Sequence, residues 1–344
     1  MALSGASIPR VSFVIANYNY GRYVAQAIDS LLAQTFTALE LIVIDDCSTD
    51  DSRAILQRYA TEPRVRLLFH STNQRNIRSY NEGLALARGE FVGIVCADDF
   101  CLRPDAVERQ VAIFDAHPEV GFVYSAQTYV DEHGVTFRLM QPWTTDYVRD
   151  GLAEFADLAF RNYVPNTGTL VRRVAHDRLG LYDPELPHAG DWDLWLRVAT
   201  AFEVGYLAEP MYAYRFHGSN LSVAGHSPRQ ANREIAVAVS NGFDALPAHA
   251  PPALRALRRA AIQHVLLATS WGDRSLGRVR RAWIGLTDAA WRSPSLLGTR
   301  MFYAAVGRTL LLTVLGQRRY QDLARRRAAR VHDGPPTSLP ASQG

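Results

Sequence analysis

The sequence predicts an α/β protein: a largely parallel sheet covered by helices, followed by a helical C-terminal extension. Three observations carry this. Strand-like and helix-like stretches alternate regularly to about residue 118, and alternation at that spacing builds βαβ units. Two of the strands, within ELIVIDDCSTDD (40–51) and EFVGIVCADD (90–99), are continuous apolar runs that end in aspartate pairs, Asp45-Asp46 and Asp98-Asp99. Unbroken runs suit strands buried on both faces. After about residue 226 the strand pattern stops, and apolar residues recur every three or four positions, the helical period.

The elements follow in order. VSFVIA (11–16) reads as a strand, and 21–34 as a helix with Val24, Ala27, Ile28, Leu31 and Leu32 on one face. ELIVID is the second strand; Ser48 or Asp50 caps a helix running to about Ala60. RVRLLFH (64–70) is a third strand, 76–87 a helix stopped by Gly89, and FVGIVC a fourth strand. Pro104 suits the first turn of a helix reaching about His117. VGFVYSAQTYVD and VTFRLM flank Glu132-His133-Gly134 as a hairpin. A strand is expected at 167–172, a helix at 191–199, and two short strands near 203–207 and 211–216. Domain limits are expected at 1–226 for the sheet domain, 227–332 for a basic amphipathic helical extension, and 333–344 for a disordered tail.

At 48% hydrophobic and 21% charged residues the composition is that of a globular protein. Cys47, Cys96 and Cys101 lack metal-ligand spacing and read as reduced thiols, Cys96 as core. MALSGASIPR shows no basic segment leading into an apolar stretch, so no signal peptide is read there. Every basic side chain of the Lys/Arg class is arginine. Residues 1–252 carry 21 Arg and 30 acids, a net of −9, whereas 253–330 carry 16 Arg and 3 acids, a net of +13. Codon usage explains arginine over lysine but not that clustering, which points to an anionic surface as partner. Met301 to Leu315 is apolar but interrupted by Arg308 and too short to span a bilayer.

Ligands of such sheets bind beyond the carboxyl ends of the strands. Two acidic pairs meeting there repel each other unless a cation, a base edge or a ribose sits among them, which implies a nucleotide with a divalent metal. Asp46, at the end of strand two, can accept from a base N–H or hold a ribose hydroxyl. Asp98 and Asp99 can offer oxygens to a hard cation that also grips a diphosphate. Tyr18 can stack on a base or simply cover the sheet. Asp191, opening a helix in GDWDLWLRVA, is either an N-cap or a general base, while Asp193 is expected to face solvent. His217 in YRFHGSNLS is a metal ligand, a phosphate contact or a structural histidine.

Together these segments resemble the family 2 glycosyltransferases, which have the GT-A fold. The shared features are VSFVIANYN, Gln34-Thr35-Phe36, Asp45-Asp46-Cys47-Ser48-Thr49-Asp50, Asn81, Ala87-Arg88-Gly89-Glu90 and the strand ending in aspartates. They run in order over residues 10–118, and the Asp191 helix extends the match to about 222. Cys96 stands where the family often has the first acid of its metal motif, Gly190 where a Glu often precedes the base, and Ala16 where Pro or Thr is frequent. The resemblance implies a metal-dependent, inverting hexosyltransferase that moves a sugar from a nucleotide-diphosphate sugar to a hydroxyl, in cell-surface polysaccharide synthesis. It implies that Tyr18 and Asp46 hold the base and Asp98 contacts the ribose or the metal. Asp99, with Asp98 and His217, would bind Mn²⁺ or Mg²⁺, Arg75 or Arg78 would contact phosphate, and Asp191 would be the base. The expected partners are a nucleotide sugar and a glycan or lipid-linked acceptor, with an anionic membrane surface and a homodimer as further candidates and no nucleic acid. The expected location is cytoplasmic, with a peripheral seat on the inner face of the cell membrane.

Two rival readings differ in class. A nucleotidyltransferase of similar sheet architecture would show a Gly-rich phosphate loop and a nearby lysine, and neither is present. A non-catalytic scaffold binding membrane or nucleic acid through the basic extension would not need Asp46, Asp98, Asp99 and Asp191. Trp271, Trp283 and Trp291 among basic amphipathic faces suit an interface more than nucleic acid.

Overall fold

The computed structural model describes residues 8–218, 220, 227–275 and 277–332. The expected disordered tail at 333–344 lies outside the described residues. The described chain forms two compact units. One holds residues up to 220 together with 233–262; the other holds 227–232 and the residues from 263 onward. Residues 233–262, read from the sequence as part of the extension, thus cluster with the sheet.

The first unit is built on one ten-stranded sheet. Its parallel half comprises β1 (Val11–Asn17), β2 (Leu39–Asp45), β3 (Val65–Phe69) and β4 (Phe91–Ile94), ordered β3-β2-β1-β4. Every residue of β2 is buried, as its unbroken apolar run requires. β1 pairs from Val11↔Leu39 to Asn17↔Asp45 on one side and with β4 on the other. The chain therefore reverses direction across the sheet between β1 and β4, the place where open α/β sheets bind ligands. Helix α1 (Gly21–Leu32) buries Val24, Ala27, Ile28 and Leu31 completely, the face read from the sequence. It lacks a side-chain cap of its own; Asp50, from the turn after β2, accepts the Gly21 N–H at 2.9 Å and the Ser52 N–H at 3.0 Å. Helices α2 (Ser52–Leu56) and α3 (Asn76–Leu86) complete this half.

The second half of the sheet adds β5 (Phe100–Cys101), α4 (Ala106–Ala116), β6 (Val120–Val130), β7 (Thr136–Met140), β8 (Tyr147–Arg149), α5 (Gly151–Leu158), β9 (Leu170–Arg172), α6 (Arg173–Leu179), α7 (Gly190–Ala199) and β10 (Glu203–Arg215). β6 and β7 form the expected hairpin. Where two short strands were expected, β10 is continuous. It absorbs Glu209-Pro210 through register shifts against β6 at Leu207/Pro210 and Pro210/Tyr212, the bulge geometry that tolerates a proline. Asp193 does not face solvent. It is buried on α7, accepting from Arg197 Nε at 2.8 Å and from Asn241 Nδ2 at 2.9 Å.

Beyond the sheet the described elements are helical: α8 (Pro228–Asp244), α9 (Pro252–Ala256), α10 (Arg258–Ser275), α11 (Val279–Arg292) and α12 (Arg300–His332), the last kinked at Gly316. In the second unit Ala282, Leu286 and Ala289 of α11 are buried, with Phe302, Ala305, Thr309 and Leu312 of α12. Trp283 Nε1 donates to Thr313 Oγ1 at 3.1 Å. No described helix is long and apolar enough to cross a membrane.

Candidate active site

The carboxyl ends of β1, β2 and β3 meet in one cross-linked rim. Asn17 is buried and donates its amide to Asp45 Oδ1 and Ser48 Oγ, at 3.0 and 3.1 Å. Asn19 Oδ1 accepts from Thr49 N at 2.7 Å. Asn19 and Cys47, two residues beyond β1 and β2, and Arg75, immediately before α3, are non-glycine residues at positive φ (60°, 64° and 71°). Backbone held in this sparsely populated region concentrates at ligand sites. Tyr18 keeps 45% of its surface exposed at the end of β1.

Asp46 is buried and fastens the loop after β3 to the end of β2. Its Oδ1 accepts from His70 Nδ1 and from Gln74 N, both at 2.7 Å, and its Oδ2 accepts from Arg75 N at 2.8 Å. A carboxylate has about four acceptor positions, and three are occupied. Arg75 and Arg78 are exposed. Arg78 lines a pocket of about 390 Å³ with Phe69, His70, Ser71, Gln74 and Glu82. His70 bridges Asp46 and Glu82, the latter at 2.8 Å. Burial works against the imidazolium, but the bonds to Asp46 and Glu82 outweigh it and raise the His70 pKa above its ordinary value. A raised histidine pKa stabilises the fold fully below the unfolded value of about 6.5, and that contribution is lost as pH climbs through the folded value. Substituting His70→Ala is therefore expected to cost about 1.5–3 kcal/mol at pH 6. The gap to wild type should narrow by pH 9 in urea unfolding curves; a gap that widens with pH would refute this bridge.

Beyond β4, two adjacent acids serve different partners. Asp99 is 1% exposed. Its Oδ2 accepts the Thr167 hydroxyl at 2.5 Å and its Oδ1 accepts the Arg215 N–H at 2.8 Å, so both oxygens face protein donors. Burial and the neighbouring Asp98 push its pKa well up. Thr167 is aimed there by Gly168, whose φ of +79° and whose approach to the Tyr212 ring leave no room for a Cβ. Asp98 instead presents Oδ2 to His217 Nε2 and to Asn220 Nδ2, each at 3.0 Å. The His217 ring stacks on Tyr23, centroids 5.3 Å apart. Arg215 is a buried strut beneath them: its Nε donates to the Asp98 carbonyl at 2.9 Å and its guanidinium lies 4.7 Å over the Tyr23 ring. Cys96 is half-buried rather than core. Its Sγ and the carboxylates of Asp98 and Asp99 lie within 4.8 Å of one another.

Asp191 sits in the first turn of α7. Its Oδ1 accepts from Trp192 N at 2.7 Å and its Oδ2 from Asn162 Nδ2 at 3.4 Å. Burial pushes its pKa up to about 6. Tyr182 lies near both Asp191 and Cys96, whose charges raise the phenol's pKa after burial itself. The Tyr80 hydroxyl, whose ring lies 6.1 Å from that of Tyr182, is 3.7 Å from Cys96 Sγ. Asn81 clips Tyr182 to α3, exchanging hydrogen bonds with its backbone at 2.8 and 3.1 Å.

Comparison with known proteins decides the family. The sequence model described as Glycosyl transferase family 2 matches residues 12–180. That segment belongs to this family. An uncharacterised glycosyltransferase of Nostoc sp. is 28% identical over 254 residues, covering 68% of this chain and 74% of that protein. Chondroitin synthase of Escherichia coli is 31% identical over 219 residues, covering 63% of this chain but only 30% of the synthase. Among solved structures, S. aureus TarS 1–349 in complex with UDP superposes with a TM-score of 0.63 at 18% identity, covering 92% of this chain and 91% of that one. Mannosyltransferase PcManGT from Pyrobaculum calidifontis, in complex with GDP-Man and Mn²⁺, gives 0.56 at 18% identity over 94% and 86%. These likenesses establish the GT-A fold.

In this glycosyltransferase the sequence-predicted residues therefore fall into three places. Tyr18, Asp46, Arg75 and Arg78 gather at the β1–β3 rim, Asp98, Asp99 and His217 beyond β4, and Asp191 beside Asn162 at the start of α7. The donor set of Cys96, Asp98 and Asp99 fits a divalent cation, and His217 Nε2 stands 3.0 Å from Asp98 Oδ2 at its side. Asp99, expected as a metal ligand, carries one protein donor on each oxygen, which leaves acceptor positions open, and its carboxylate stands within 4.8 Å of Cys96 Sγ and the Asp98 carboxylate. Sequence reasoning missed Thr167, Arg215, Asn220, Asn162 and Tyr182. A signal existed for Arg215 and Asn220, which flank His217 in the YRFHGSNLS segment.

Proposed function

We propose that this glycosyltransferase transfers a sugar from a nucleotide-diphosphate sugar to a hydroxyl of a glycan or lipid-linked acceptor, with inversion at the anomeric carbon. The observation that carries the reading is Asp191: a carboxylate at a helix start with its pKa pushed up to about 6, in a chain whose family transfers sugars. A base poised near neutrality is what deprotonation of an alcohol calls for. Asp191 takes the acceptor proton as that oxygen bonds to the anomeric carbon; the bond from that carbon to the diphosphate oxygen breaks, and its electrons leave with the nucleoside diphosphate. Attack opposite the leaving group gives inversion.

The nucleotide occupies the β1–β3 rim in this reading. Tyr18 stacks on the base, the fourth acceptor position of Asp46 takes a base N–H or ribose hydroxyl, and Arg75 or Arg78 meets phosphate. Asp98, Asp99 and His217 would hold Mn²⁺ or Mg²⁺, with Cys96 beside them, and Asp99 also ties β10 to the β4 end. A bound cation would neutralise charge on the departing diphosphate. The UDP and GDP-Man complexes of the structural neighbours support a nucleotide donor, and the free thiols at Cys47, Cys96 and Cys101 suit the cytoplasm. A role in cell-surface polysaccharide synthesis is consistent with the chondroitin synthase relative. A thermal-shift panel of UDP, dTDP and GDP sugars with Mn²⁺ tests this. One nucleotide class is expected to raise the Tm by several degrees, about 2.7 kcal/mol at a hundredfold excess over Kd. No stabilisation by any of the three would refute the donor assignment.

A further inference from the structure

We propose that helix α12 presents an interfacial face, over residues 303–314, that seats the protein on an anionic lipid surface. The helix is two-sided. Phe302, Ala305, Thr309 and Leu312 are buried within the second unit. On the opposite side Tyr303 is 62% exposed, Leu310 49%, Leu311 44% and Val314 79%. Tyr303, Gly307, Leu310 and Val314 follow at steps of four, three and four, which keeps them on one side of a helix. A contiguous exposed apolar face marks an interaction surface. The segment leading into it adds Trp291, 85% exposed at the end of α11, and Leu297, 50% exposed. Trp and Tyr beside aliphatic side chains are the composition of a membrane–water interface.

Charge decides between occupants. From residue 289 to 321 the chain has no acid and five arginines, Arg292, Arg300, Arg308, Arg318 and Arg319; Arg300, Arg308 and Arg319 are exposed. A second copy of this face would bring like charges together, which disfavours that pairing. An anionic leaflet matches both the apolar stripe and the arginines around it. No described helix is long and apolar enough to span, so the mode is peripheral. Lipid seating depends on this face alone, independently of the transfer reaction.

The test is sedimentation of the full chain with phosphatidylcholine vesicles, with and without about 30% phosphatidylglycerol. Wild type is expected to pellet with the anionic vesicles only, and about 0.5 M salt should weaken binding several-fold. The double substitution Leu310→Glu and Val314→Glu, at exposed positions, should weaken it at least about tenfold. Arg300→Glu with Arg308→Glu should do the same without touching the apolar stripe. Nucleotide-induced thermal shifts should stay unchanged in both, which separates this proposal from the donor reading. Wild type remaining in the supernatant, or both variants binding as wild type, overturns it. So does a wild-type dimer that the Leu310/Val314 change converts to monomer without any vesicle binding, since the face would then join two copies.

Discussion

Asp191→Asn should abolish most transfer while leaving the fold and donor binding in place. Losing a general base costs about 10²–10⁴ in rate. The new amide keeps an oxygen for the Trp192 N–H, and Asn162 has a buried Oδ1 without a partner among the described residues. That oxygen can accept from the new amide after a flip, so the site needs no rebuilding. The wild-type pH profile carries the same claim. Asp191 is protonated and inactive well below its pKa of about 6, so kcat/KM should fall about tenfold per pH unit below that point and level off above it. The stability sign runs the other way: a carboxyl whose folded pKa is raised is penalised once both states ionise, so the variant should gain stability relative to wild type above pH 6 and not at pH 3. Near-full activity in the variant would remove Asp191 as base.

The second large effect separates neighbouring acids. Asp98→Ala removes the acceptor facing His217 and Asn220, and should weaken metal-dependent nucleotide binding by about 10²-fold with modest loss of stability. Asp99→Ala strips an acceptor from the Arg215 N–H and the Thr167 hydroxyl deep in the protein. Leaving buried donors unsatisfied costs about 1–3 kcal/mol each, so it should lower the urea midpoint more than Asp98→Ala does. If Asp99→Ala lost Mn²⁺ affinity at unchanged stability while Asp98→Ala kept it, the two roles would have to be exchanged.

What the sequence revealed and what it hid divide along contact range. The buried run of β2 and the apolar spacing of α1 are local patterns, and strand ends are where ligands of such sheets bind, so Asp46 and Asp98 could be singled out from residue order alone. Thr167 and Arg215 reach Asp99 from 68 and 116 residues away, and nothing local to either residue announces that. The two-residue β5 and three-residue β8 are too short for a period-two pattern. Asp193 looked like a solvated helix residue because its partners, Arg197 and Asn241, lie one turn on and in a later helix. The separate fates of Asp98 and Asp99 were illegible for the same reason: adjacent residues on one turn diverge only when β10 arrives to claim one of them.

The most direct test of the central claim, a nucleotide donor gripped through Asp98 and His217, is calorimetric titration of UDP, dTDP and GDP with and without Mn²⁺. The account predicts that one nucleotide binds to wild type with Mn²⁺, that omitting the metal weakens it at least about tenfold, and that His217→Ala weakens it comparably. Binding that ignores both the metal and the His217 substitution, or no binding of any nucleotide, would contradict it.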